Sequence, residues 1–287
     1  MTNIKNSVVL ITGGANGIGK QMGQRFLEKG AKSLVIWDIN ESNLEAASKE
    51  FGKKGYDVHP YLVDVSDTDD IGYATEDVLS ELGGVDILVN NAGIVVGKSF
   101  HEHSTRDIEK TVRINVLGVM HVTHAFLPSM IERSKGHIVN IASASSYTAN
   151  PNMSVYAASK WAVMGWSESL RLELERLSNH LHVTTIAPSY INTGMFKGVS
   201  APLLTPILEP ETIVSKIIEA VEKNKLLVLE PAIVKSLPML KGVLPTRAFD
   251  FLAEKVFGVY HSMDNFEGRP ATEAVPDKKI LEKSKKL

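Results

Sequence analysis

The chain of 287 residues contains no cysteine. That excludes a disulfide framework, a thiolate zinc site and a cysteine nucleophile together, and it fits a reducing compartment. A cytoplasmic setting is the expectation. The chain also lacks a charge imbalance, with 31 Lys and Arg against 33 Asp and Glu, so no global field favours nucleic acid or an anionic membrane. No apolar run reads as a membrane span, and residues 1–6 are polar and lead straight into a short apolar stretch rather than a targeting segment. No Pro/Gly/Ser-rich linker and no fixed-period repeat divides residues 1–230. The one strongly biased stretch is 277–287, a lysine-rich tail expected to be a flexible, solvated end.

What is present is a globular composition, 44% apolar and 22% charged, enough for a core without staples. Short β-branched runs alternate with segments of helical period. Strands are expected near 7–12, 33–38, 56–64, 86–90, 137–142, 182–186 and 226–229, with helices near 17–29, 41–52, 67–82, 104–132, 154–178 and 211–223. Several strands are apolar almost without alternation, as happens when both faces are covered. The expectation is an α/β single-domain, doubly wound fold with a seven-stranded parallel sheet, residues 1–230, whose ligands bind at the carboxyl ends of the strands. A proline-marked segment, 188–210, is expected to act as a lid. Residues 231–287 are expected to form an apolar C-terminal extension of the same domain that ends in the lysine-rich tail.

Two constellations carry chemistry. The run from Thr12 to Gly19 follows the first strand and opens the first helix. There Gly13, Gly17 and Gly19 let backbone approach a pyrophosphate, and the helix N-terminus favours its charge, with Asn16 and Ile18 in the same turn. Asp38 ends the second strand, where a carboxylate accepts from ribose hydroxyls and repels a 2′-phosphate, so the expected cofactor is NAD(H). Asp64 and Val65 after the third strand, and Asn91, Ala92 and Gly93 after the fourth, fit the rest of a dinucleotide cradle, although ordinary turn chemistry also favours such residues. In the second constellation Tyr156 and Lys160 share a helix face at i and i+4. Ser143 lies just past the fifth strand, placed to hydrogen-bond a substrate oxygen while Tyr156 moves its proton. Asn115, in the long fourth helix, reads either as the holder of a relay water or as an ordinary capped or solvent-facing asparagine. His101, His103, His121 and His124 have ligand-like spacings but no completing cysteine or acid, so no metal site is expected.

Together, Thr-Gly-x-x-x-Gly-x-Gly at 12–19, Asn-Asn-Ala-Gly at 90–93, Ser143, Tyr-x-x-x-Lys at 156–160, and Pro188 followed by Thr193 resemble the short-chain dehydrogenase/reductase family over residues 7 to about 230. The resemblance implies a Rossmann fold. It implies Tyr156 as acid/base, Lys160 as ribose ligand and pKa modulator, Ser143 as substrate orienter and Asn115 as relay anchor. It further implies Pro188, Ile191 and Thr193 as nicotinamide-side contacts, and association into a homodimer or homotetramer. Ser189 departs from the pattern, standing where the family usually has glycine. The 34–40 and 261–264 runs are similar to the branch with 17-beta-hydroxysteroid and retinol dehydrogenases. A bulky apolar alcohol or ketone, a hydroxysteroid first and a retinoid or other lipid alcohol second, is the expected small-molecule substrate. Met195 and Phe196 are its expected contacts, unless the apolar residues after Thr193 only cover the protein's own core or a subunit interface. A scaffold that binds nucleotide without turnover is the alternative of another class.

Overall fold

A computed structural model of the chain describes residues 1–269. Seven strands, β1 (Val8–Thr12), β2 (Ser33–Asp38), β3 (Val58–Leu62), β4 (Ile87–Asn90), β5 (Gly136–Ile141), β6 (Leu181–Pro188) and β7 (Leu227–Glu230), form one parallel sheet in the order β3-β2-β1-β4-β5-β6-β7. The order reverses between β1 and β4, which makes the crevice beyond their carboxyl ends the natural ligand site.

β1 is buried at all five positions, yet its side chains alternate between two cores, as a pleated strand requires. Val9 and Ile11 pack with Met22 and Phe26 of α1 (Gly17–Glu28), Phe51 of α2 (Glu41–Lys53), and Ile217 of α7 (Pro210–Glu222). Val8 and Leu10 pack on the other face with Val78 of α3 (Thr68–Leu82), Phe126 of α5 (Val119–Glu132), and Leu170 of α6 (Ser154–Leu177). A continuous apolar run in sequence thus feeds both layers.

Two expected elements are changed. The third strand is shorter than 56–64 and carries Pro60 in register with Ile36; a proline without an N–H survives there because β3 is the sheet edge. The single helix expected at 104–132 is divided into α4 (Thr105–Val112), a π-helical turn (Arg113–Gly118) and α5. That stretch is the one described segment long and apolar enough to cross a membrane by length and composition, and 44% of its apolar part is buried in the fold.

The C-terminal extension is helical. A 3-10 turn (Ala232–Ser236), α8 (Leu237–Val243), α9 (Thr246–Phe251) and a π-helical turn (Leu252–Val256) follow β7. These are tied to the lid segment by backbone bonds from Leu203 N–H to Phe257 O (2.8 Å) and from Ser200 N–H to Ser262 O (2.9 Å). Lid and extension therefore form one cover over the carboxyl ends of β5 and β6. The lysine-rich tail lies outside the described residues.

Candidate active site

The turn between β1 and α1 is built by close backbone approach. A Cβ at Gly19 would lie 2.2 Å from Gly13 O, and Gly13 itself has φ +61°, so neither position tolerates a side chain. Asn16 caps α1 by accepting from Gly17 N–H at 2.7 Å, and the first turn carries no acidic residue. The Asn91 side chain is a strut: its amide nitrogen donates to Thr12 O (3.0 Å) and Gly13 O (2.9 Å), while Ala92 N–H donates to Thr12 Oγ1. Asp38 at the end of β2 accepts from Ala15 N–H and Asn40 N–H, each at 3.0 Å.

Gly13, Asn16, Asp38, Asn40, Asn91 and Ala92 line one cavity of about 1120 Å³ together with Ile18, Asp64, Val65, Gly93, Pro188, Ile191 and Thr193, whereas Gly19 packs behind the turn against Gly13. Gly17 and Thr193 border a smaller hollow on the outer side of the same turn. A dinucleotide fits on three structural observations. The tight glycine turn brings Gly13 and the N-terminal end of α1 to the cavity, and the carboxylate of Asp38 stands at the strand end. Asp64 adds the third: its Oδ1 accepts from the Ser66 backbone N–H and hydroxyl, but its buried Oδ2 has no partner among the described residues. Such an acceptor calls for a donor of the kind an adenine amino group supplies.

Ser143, Tyr156 and Lys160, the expected catalytic residues, meet in the same cavity. Tyr156 and Lys160 are buried on α6, 5% exposed each, with Lys160 Nζ 5.7 Å from the Tyr156 ring centre. Lys160 Nζ donates to Ile141 O at 2.8 Å, which fixes the ammonium beneath the end of β5. Burial pushes the Lys160 pKa down to about 8. Burial pushes the Tyr156 hydroxyl well above its ordinary value; the hydrogen bond with Ser143 opposes this and the nearby Tyr190 adds to it. A low-dielectric site thus disfavours phenolate and ammonium separately, so they are favourable only as a pair.

Asn115 is fully buried in the π-helical turn. Its Oδ1 accepts from Ile94 N–H and its Nδ2 donates to Ile94 O, both at 2.9 Å, and also to Ser159 Oγ at 3.1 Å. The solvent-facing reading is thereby corrected: the side chain pins the segment after β4 against α6, and π-bulges recur at functional sites for such purposes. Ser189 needs no glycine, because it lies outside the left-handed region and its N–H is held by Glu230 O at 2.7 Å.

Beyond Tyr156 the cavity is apolar. Phe196 packs edge-on against Tyr156 (5.9 Å) and Tyr190 (5.2 Å), and Met195, Leu237, Phe249, Phe257 and Phe266 continue the wall. The apolar residues of the lid and extension are divided. These face the cavity, while Leu203, Leu204, Met239, Val243 and Phe251 are exposed and Leu208 joins the main core. A polar cluster in the cavity wall was not legible in the sequence. Asn150 Nδ2 donates to Tyr190 Oη (2.8 Å) and Ser262 Oγ (2.9 Å), and Ser262 Oγ donates to Val259 O. Its members come from three distant segments, so no local spacing could have announced it.

The comparisons agree with this geometry. The family model for short chain dehydrogenases matches residues 7–203. Estradiol 17-beta-dehydrogenase 11 of Rattus norvegicus is 36% identical over 255 residues, which cover 88% of this chain and 85% of that protein. Epidermal retinol dehydrogenase 2 of Mus musculus is 35% identical over 271 residues, covering 93% and 87%. A solved short chain dehydrogenase/reductase from Burkholderia phymatum, in complex with NAD, matches at a TM-score of 0.77 and 25% identity over 84% of this chain and 95% of its own. The chain belongs to the short-chain dehydrogenase/reductase family of oxidoreductases, and its sequence places it with the branch of 17-beta-hydroxysteroid and retinol dehydrogenases.

Proposed function

We propose that this protein interconverts a hydroxyl and a ketone on a bulky apolar substrate with NAD(H), a hydroxysteroid first and a retinoid or other lipid alcohol second. The observation that carries the reading is the division of one cavity. Its polar end holds Asp38, the glycine turn and the orphaned Asp64 oxygen, its apolar end holds Phe196, Leu237, Phe249 and Phe257, and Tyr156 stands between them. The nicotinamide cofactor would supply the hydride acceptor or donor. Ser143 orients the substrate oxygen, Tyr156 Oη takes or returns its proton, and Lys160 supplies the positive charge that makes a buried phenolate accessible. The preference for NAD rests on Asp38, which repels a 2′-phosphate. Exposed Leu117, Ile131 and Leu172 on the long helices favour association into dimers or tetramers.

The test compares kcat/KM for a steroid ketone and for a small ketone such as acetoin, in the wild type and in Phe196→Ala. The expected result is a preference for the steroid that falls selectively, by about tenfold, in the variant, consistent with roughly 1–3 kcal/mol for lost contact in an apolar pocket. Higher efficiency on acetoin with no selective loss would show that the apolar wall only covers the protein's own core.

A further inference from the structure

The C-terminal cover does more than bound the substrate end of the cavity, because its last described residue returns to the cofactor end. Arg269 lines the same cavity as Gly13, Asp38 and Tyr156. A Cβ placed on Gly17 would lie 3.9 Å from Arg269 Nη2 and 3.7 Å from Thr193 Cβ. The guanidinium and Thr193 therefore flank the one residue of the turn that combines a left-handed backbone, φ +55°, with the start of α1.

The position is held by the fold rather than by chance reach of a long side chain. Glu267 N–H and Gly268 N–H both donate to Lys197 O, at 2.9 and 3.2 Å, and Lys197 Nζ pairs with Glu267 at 2.7 Å. On the lid side, a Cβ at Gly198 would lie 2.0 Å from Asn265 O, so the two backbones are in contact. The arginine thus rides immediately beyond an anchored crossing of lid and extension. The other cation on the outer surface of the turn, Lys20, is engaged by Glu50 at 2.6 Å. No carboxylate pairs with Arg269 among the described residues.

A turn made of glycine amides and a helix N-terminus offers an anion only partial charges. A dinucleotide pyrophosphate carries two full negative charges, and a guanidinium supplies a full positive one in a fork that matches phosphate oxygens. We propose that Arg269 closes the cofactor site from the C-terminal side by binding the pyrophosphate over Gly17. This rests on the cofactor reading above, and it makes the extension part of the nucleotide site as well as of the substrate pocket. Neither the glycine turn nor the segment spacing signals it, since the contact joins the first helix to a residue past the last strand.

The experiment is equilibrium titration, by fluorescence or calorimetry, of wild type, Arg269→Ala and Arg269→Lys with NADH, NADPH, ADP-ribose and adenosine. Arg269→Ala is expected to weaken NADH and ADP-ribose by about tenfold and to flatten the salt dependence of their Kd. Adenosine, which has no phosphate, should bind unchanged, and Arg269→Lys should recover part of the loss. Equal NADH affinity in wild type and Arg269→Ala would overturn the inference. So would an equal loss for adenosine, which marks a general structural role, or a loss confined to NADPH, which places the charge at the ribose. If wild type bound none of the nucleotides, the cofactor reading itself would fall, and this inference with it.

Discussion

Replacing Lys160 by methionine removes the positive charge proposed above to make a buried Tyr156 usable as a base, while keeping a side chain of similar length. The ammonium lies 5.7 Å from the phenol ring centre. At an effective dielectric of about 20, one unit charge at that distance stabilises a phenolate by roughly 3 kcal/mol, which is about two pKa units or a factor of about 100. In the wild type the first proton to leave the pair is lost near the Lys160 value of about 8. The remaining proton is then shared between the two sites, and part of the population is phenolate with ammonium. Alcohol oxidation should therefore rise with pH through an apparent pKa near 8. In Lys160→Met only the tyrosine is left to titrate, with burial holding its pKa well above the ordinary value. The profile of kcat against pH should then keep rising across the whole range with no plateau near pH 8, and kcat at pH 7.5 should drop about 100-fold. The assay is initial-rate NADH formation from pH 6 to 10.5 with saturating substrate, with NADH affinity measured separately to exclude a loss of cofactor binding. An unchanged pH profile with a lowered kcat would refute the reasoning, because it would show lysine acting as a cofactor ligand alone.

The doubly substituted Asp38→Ala, Ile39→Arg protein should shift its kcat/KM ratio from NAD(H) toward NADP(H) by at least tenfold, since a repelling carboxylate is lost and a phosphate partner gained; equal use of both cofactors by the wild type would contradict the role given to Asp38. His137 is buried and neutral between Thr2 and Thr184, with its pKa lowered to about 3 by burial first and by His182 and the N-terminus next. The unfolded chain takes up this proton near pH 6.5 and the folded one does not. Stability is therefore complete above pH 6.5 and lost as pH falls toward 3, by up to about 5 kcal/mol. Urea unfolding at pH 7 and pH 4 should accordingly show a smaller loss on acidification for His137→Gln than for the wild type, and equal losses would remove His137 from the account.

The seven strands, both helical layers and the nearness of Tyr156 to Lys160 follow from features that are local in sequence: apolar runs of strand length alternating with helical segments, a glycine turn ahead of a helix, and an i, i+4 pair. What was not legible depends on contacts between distant segments. The 104–132 helix is divided at the turn where Asn115 reaches the backbone of Ile94, a contact that periodicity alone does not register. Asn91 lines the cavity, and its side chain also spans to Thr12 and Gly13; a turn asparagine has the same sequence signature in either role. The apolar residues after Thr193 all look alike in composition. Only the packing shows that Phe196 faces Tyr156 while Leu203 and Leu204 face solvent. The triangle of Asn150, Tyr190 and Ser262 joins three segments that are brought together by the cover.

If Tyr156 Oη is the proton-transfer group, losing that hydroxyl should stop turnover and leave the cofactor site intact. Tyr156→Phe removes one oxygen and leaves the ring packed against Phe196. Turnover of a hydroxysteroid with NAD and the Kd for NADH, measured on the same preparation, separate the two functions. Turnover should fall by at least about 100-fold, within the range for loss of a general acid/base, while the Kd for NADH changes by no more than a few-fold. Substantial turnover by Tyr156→Phe, with NADH binding intact, would contradict that role.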